Sequence, residues 1–163
     1  MFRSKAIATR GKPQLYDELS EQLEALLAGE TDPIANAANT SALLFYALPD
    51  LNWAGFYFMR DGELVLGPFQ GKPACVRIAV GKGVCGSAVE RRKSLLVEDV
   101  HAFPGHIACD EASRSELVVP LMTGDRVDGV IDLDSPVAAR FDADDLAGIE
   151  RVASIYVNSL RAR

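Results

Sequence analysis

The sequence predicts an α+β fold, with about six strands in a largely antiparallel sheet and helices at both ends of the chain. Three observations lead there. Apolar residues recur at helical spacing in the first fifty residues and again after residue 142. Between these segments lie short alternating or aromatic runs of strand length. Turn signals at Asp61-Gly62 and Gly124-Asp125 join neighbouring runs as hairpins, so the strands they link run antiparallel.

The elements follow in order. Leu15, Leu19, Leu23, Leu26 and Leu27 mark a first helix, with Gly29 as its stop. Asp32 can cap a second helix and Pro33 suits its first position. Its inward stripe reads Ile34, Ala37, Ser41, Leu44 and Leu48, and Pro49 ends it. "NWAGFYFM" (52–59) and "ELVLGPF" (63–69) form the first hairpin, and "CVRIAV" (75–80) is a third strand. "GKGVCGSAVERR" is a glycine-rich turn opening a short helix, and "SLLVEDV" (94–100) is a fourth strand. Residues 99–114 have no period and are long for a loop, which is a common property of functional loops. "ELVVPLM" and "VDGVIDLD" supply two more strands. In the last helix Asp142 is the N-cap and Asp145 the N3 acid, with Phe141 and Leu146 placed as a hydrophobic staple. Leu146, Ile149, Val152, Ala153, Tyr156 and Leu160 form its inward face. No repeat or linker interrupts residues 1–163, so a single domain is expected.

Composition narrows the function. With 48% hydrophobic and 25% charged residues, the 163-residue chain is that of a folded protein. A net charge of −6 argues against a nucleic-acid surface, and Arg91-Arg92-Lys93 reads as a solvated helix end. The longest apolar run, "ALLFYAL", is too short for a membrane span, and the N-terminus lacks a secretory h-region. A cytoplasmic protein is expected, in which three cysteines are not a structural disulfide set.

Three groups of residues can carry chemistry. Cys75, Cys85 and Cys109 lie ten and then 24 residues apart with no C-x-x-C pair. A zinc site would need His106 as a fourth ligand and lacks the usual close ligand pairs, so no metal is expected. The cysteines are either inert buried residues or redox groups. Local electrostatics favour Cys85 as the thiolate, because it enters a helix close to Lys82. Cys109, in contrast, is followed by Asp110 and Glu111, for which a solvated loop face is the default. The second group is acidic. Asp132 and Asp134 share one face of a strand, opposite Ile131 and Leu133, and Glu116 can join them after the turn. Such a face is either solvent or the wall of a polar pocket. The third group is Trp53 and Tyr57, four apart on one strand, which belong to the core or wall a small pocket.

"NWAGFYFM", "GPFQGKPACVRIAVGKGVCG", "HIACDEASRSELVVP" and "GVIDLDSP" together resemble the free methionine-(R)-sulfoxide reductases, a family built on the GAF fold. The resemblance runs from about Trp53 to the C-terminal helix and includes the cysteine spacing. It implies a six-stranded antiparallel sheet flanked by helices. It also implies that Cys109 attacks the sulfoxide, that Cys75 is the main resolving partner, and that Cys85 is a further thiol in recycling. Trp53, Tyr57, Glu116, Asp132 and Asp134 fall on the family's substrate-holding positions. No cofactor is implied, thioredoxin is the usual reductant, and members are commonly homodimers. The clustered acids suit the ammonium group of a free amino acid, whose carboxylate would meet backbone N–H groups of loop 99–114. The rival readings are a GAF module that binds a small ligand without catalysis and a thiol redox sensor.

Overall fold

The computed structural model describes residues 11–107 and 110–161. The elements are α1 (Lys12–Leu27), α2 (Pro33–Ala47), β1 (Trp53–Arg60), β2 (Glu63–Gly71), β3 (Arg77–Ala79), α3 (Gly83–Arg91), β4 (Leu95–Val97), β5 (Ser115–Thr123), β6 (Arg126–Ser135) and α4 (Ala143–Ser159). The six strands form one sheet in the order β3-β2-β1-β6-β5-β4, and every neighbouring pair is antiparallel. The expected α+β layering and strand count are therefore present.

The two faces of the sheet differ in character. Helices α1, α2 and α4 cover one face, and α3 packs on the other against β5 and β6. Alternation along each strand sends side chains to opposite faces, so one strand serves both layers. Ala54, Phe56 and Phe58 of β1 and Ile131 and Leu133 of β6 join the large core under the three helices. Trp53, Tyr57, Val118 and Val130 point the other way, into a smaller cluster with Cys85 and Ala88 of α3. That second face carries the polar pocket.

Caps and turns fix the layout. Asp32 accepts the backbone N–H groups of Ile34 and Ala35 at 2.9 and 2.8 Å, and Pro33 opens α2 as expected. At α4 the Asp142 carboxylate accepts from Asp144 and Asp145, while the Asp145 carboxylate accepts from the Asp142 N–H. This reciprocal pair is the anticipated capping box. Asp61 and Gly62, both with positive φ, turn β1 into β2.

Three details differ from the expected elements. Ile34 is not part of the inward stripe of α2 but 52% exposed. The first turn of α2 is anchored instead by buried Asn36, whose amide donates to Glu30 O and Ser159 Oγ. The third strand is only Arg77–Ala79 rather than 75–80. Just upstream the Val76 carbonyl still accepts from the Leu66 N–H of β2, and the Cys75 carbonyl accepts from the Tyr57 hydroxyl. The fourth strand stops at Val97, because Asp99 caps a 3-10 turn at Val100–Ala102 within the long loop.

Candidate active site

The antiparallel register assembles the site. Trp53 on β1 is opposite Asp134 on β6, and Asp134 is opposite Glu116 on β5. These three side chains form one row across the smaller-cluster face of the sheet. Asp132 lies two residues back from Asp134 and pairs with Gly55. Gly55 leaves the space that Phe69 and the Trp53 indole fill, since a Cβ there would lie 2.3 Å from Phe69 Cβ. Trp53 stacks between Phe69 and Tyr57, with ring centroids 5.1 and 5.8 Å away.

Over this face α3 is pulled close by Gly86, where any Cβ would meet the Ala79 carbonyl at 2.3 Å. The result is a cavity of about 560 Å³ including its open mouth. Sheet residues Trp53, Tyr57, Glu116, Asp132 and Asp134 line it together with Cys85. Thus all five substrate-holding positions implied by the resemblance meet Cys85 in one pocket. Cys109 lies outside the described residues.

Both aromatic residues also organise the wall. The Trp53 indole N–H donates to Lys72 O at 3.2 Å, and the Tyr57 hydroxyl donates to Cys75 O at 3.1 Å. They pin segment 72–75 beside the pocket. Cys75 is disulfide-bonded, whereas Cys85 is a free thiol.

The electrostatics are dominated by crowded acids. Glu116 and Asp132 are 7% and 6% exposed. Burial pushes the Glu116 carboxyl well above its ordinary range, reinforced by the negative charges of Asp132 and Asp134. Asp134 is raised by burial and by Asp132. Asp132 is raised to about 6, chiefly by burial, with hydrogen bonds to Cys85 and Glu116 opposing the shift. At neutral pH the cluster therefore keeps protons that isolated carboxyls would lose.

The same cluster corrects the expectation for Cys85. Burial first, then Asp132 and Glu116, push its thiol well above the usual value. Its place in the first turn of α3 does not offset three neighbouring acids. Cys85 is consequently a protonated thiol at rest, with Sγ 3.9 Å from Glu116 Oε1.

Asp110 also departs from its expected solvated role. It lines the cavity, accepts from the Ala112 N–H and from Asn52 Nδ2, and lies 3.6 Å from Lys72 Nζ. The Ala112 N–H is the largest influence holding its carboxyl below the ordinary range, followed among the lowering contacts by Asn52 and Lys72. Sequence reasoning missed Asn52 and Ser113, which form a hydrogen-bonded chain at 3.0 Å beside Asp134. It also missed Lys72 as a lining residue. Polar residues at strand and loop ends carry no periodic signal, so only the fold reveals this group.

The GAF domain family model matches residues 35–160. A free methionine-R-sulfoxide reductase of Escherichia coli (strain K12) is 54% identical over 143 residues, covering 88% of this chain and 87% of the relative. Another enzyme of that name, from Saccharomyces cerevisiae, is 41% identical over 156 residues, covering 91% and 87%. The crystal structure of free methionine-R-sulfoxide reductase from Neisseria meningitidis in complex with its substrate superposes with a TM-score of 0.94 at 44% identity, covering 98% of this chain and 96% of that one. With the fold, the pocket acids and these likenesses in agreement, the chain belongs to the GAF-domain family and, within it, to the free methionine-R-sulfoxide reductases.

Proposed function

We propose that the protein reduces free L-methionine-(R)-sulfoxide to methionine by cysteine chemistry, with thioredoxin as the external reductant. The observation that carries this reading is the charge layout of the cavity. Three acids, buried Glu116 and Asp132 and half-buried Asp134, line it, and Lys72 and Lys82 are among its other walls. A zwitterionic amino acid presents both charges that such a site needs. Its ammonium loses water on entry and requires carboxylate partners. Its carboxylate would be met by Lys72 or by backbone N–H groups of loop 99–114. A peptide-bound sulfoxide lacks the ammonium and would leave the acids uncompensated.

In this mechanism the Cys109 thiolate attacks the sulfoxide sulfur. A proton is delivered to the sulfoxide oxygen, and Glu116 and Asp134, whose carboxyls retain protons, are the candidate donors. The protonated oxygen passes from the methionine sulfur to the Cys109 sulfur as the methionine S–O bond and the transient sulfur–sulfur bond break, so methionine leaves and Cys109 becomes a sulfenic acid. A thiol from Cys75 condenses with it, forming a disulfide and releasing water. An external dithiol then reduces that disulfide by exchange and is itself oxidised. The disulfide-bonded state of Cys75 supports it over Cys85 as the resolving residue. Cys85 serves as a secondary thiol. The working unit is proposed to be a homodimer in the cytoplasm. Among the described residues no helix is long and apolar enough to cross a membrane.

The test is turnover of free methionine-R-sulfoxide with thioredoxin and its reductase, against the S epimer and a peptide-bound sulfoxide. Activity confined to the free R form supports the reading. Peroxide-driven disulfide formation without any sulfoxide reduction would replace it with a redox sensor. Inertness in both assays would replace it with a ligand-binding module.

Cys75→Ser is expected to release about one methionine per chain and then recycle poorly with thioredoxin. Quench-flow comparison of the first turnover with the steady state checks this, and an unchanged steady state would make Cys85 the resolving thiol.

Substrate affinity should depend on pH through Asp132. A bound ammonium favours the ionised carboxylate, and Asp132 ionises above about 6. Affinity is therefore present at neutral pH and falls as pH drops through that value. Calorimetric titration of the non-reacting Cys109→Ser variant in metal-free buffer isolates binding from chemistry. A dissociation constant that stays flat between about pH 5 and 8 would remove Asp132 from the ammonium site.

A further inference from the structure

We propose that the reduced pocket also binds a borderline-soft divalent cation of the zinc type through Cys85, Glu116 and Asp132, and that the bound ion excludes the amino-acid substrate. The exclusion rests on the proposed function; the binding does not. One ligand atom from each of the three residues lies within 4.8 Å of the other two. The edge from Cys85 Sγ to Glu116 Oε1 is 3.9 Å. An ideal tetrahedron with ordinary zinc–sulfur and zinc–oxygen bonds has an S···O edge of about 3.5 Å. A few tenths of an ångström of side-chain adjustment closes the difference.

The second observation is an unpartnered oxygen. Asp132 is 6% exposed, and its Oδ1 has no hydrogen-bond partner among the described residues. A buried carboxylate oxygen without a donor is costly, and a cation supplies what it lacks. The three ligands come from α3, β5 and β6, which are already packed together. No refolding is needed to gather them.

Donor chemistry selects the ion. A thiolate with two carboxylates suits zinc-like metals, whereas magnesium and calcium take oxygen ligands. Three protein ligands leave a fourth position towards the cavity, unlike a closed structural site. Coordination converts the Cys85 thiol to thiolate, and its proton passes to solvent with any proton held between the carboxyls. No electron transfer is involved. The metal's charge then occupies the place proposed for the ammonium, so ion and substrate compete. This constellation shares only Cys85 with the three-cysteine and His106 set considered from spacing alone.

Cobalt chloride is the probe, because thiolate–cobalt bonds give an intense charge-transfer absorption. In the double variant Cys75→Ser/Cys109→Ser, the only remaining thiol is Cys85. The band should appear with one cobalt per chain, be displaced by zinc chloride, and vanish when Cys85→Ser is added. Asp132→Asn in the double variant should weaken cobalt binding by about tenfold or more. Absence of the band in the double variant, or its persistence without Cys85, would overturn the site. Circular dichroism confirms that each variant is folded, and unchanged affinity in folded Asp132→Asn also counts against it. Free methionine-R-sulfoxide should displace cobalt from the double variant, which binds substrate but cannot turn it over. A cobalt band that substrate does not displace would overturn the exclusion while leaving the site. Failure of the reductase reading appears separately, as no turnover by the unmodified enzyme.

Discussion

Cys109→Ser is expected to lower turnover of free methionine-R-sulfoxide by on the order of 10³-fold or more. A serine hydroxyl is not ionised near neutral pH and is a poor nucleophile towards sulfur, so the first bond would not form. Substrate affinity should stay near that of the unmodified protein, because the partners proposed for the ammonium are elsewhere, on β5 and β6. The check combines steady-state rates with calorimetric binding on the same preparation. Near-normal rates would remove Cys109 as the nucleophile, and Cys85 would then have to be reconsidered. The structure explains why Cys85 is the weaker candidate. Its thiol is 4% exposed and surrounded by acids that oppose thiolate formation.

The fold was legible where periodicity was strong. The capping residues of α2 and α4, the hairpin at Asp61-Gly62 and the shared face of Asp132 and Asp134 follow from local rules, and the structure shows each. The resemblance added which scattered residues converge. Strand pairing then explains the convergence, since Trp53, Asp134 and Glu116 come from three strands in one row. What local reasoning could not supply was the balance of long-range electrostatics. Lys82 beside Cys85 in sequence suggested an activated thiol, but Asp132 and Glu116, tens of residues away, set its environment. The same holds for Ile34, which the stripe placed inward but which is exposed, its turn being anchored through Asn36 instead.

Neutralising Asp145 and neutralising Asp134 should change stability with opposite signs. Asp145 is fully buried, yet its carboxylate is bound by Lys12, Arg140, the Tyr16 hydroxyl and the Asp142 N–H. These contacts tie α1 to the start of α4. Asp145→Ala would strand the Arg140 guanidinium, whose side chain is 8% exposed, and the buried Tyr16 hydroxyl. Breaking such a pair from one side costs about 3 to 5 kcal/mol, and it also removes the capping box. In a chain of this size that lowers the melting temperature by roughly 10 °C. Among the described residues no ion pair neutralises Glu116, Asp132 or Asp134, whereas Lys72 lies against Asp110. Asp134 is held above its ordinary range by burial and by Asp132, so the folded state binds its proton more tightly than the unfolded state does. Its ionisation therefore destabilises the fold above the ordinary carboxylate range, and the effect disappears as pH falls below about 4. Asp134→Asn should consequently raise stability at neutral pH, with the gain lost on acidification, while weakening substrate use. Thermal unfolding of both variants at neutral and acidic pH, alongside kcat/KM, tests the contrast. A loss of stability in Asp134→Asn comparable to that of Asp145→Ala would mean that the pocket acids are structural partners rather than charges held in strain for a cationic ligand.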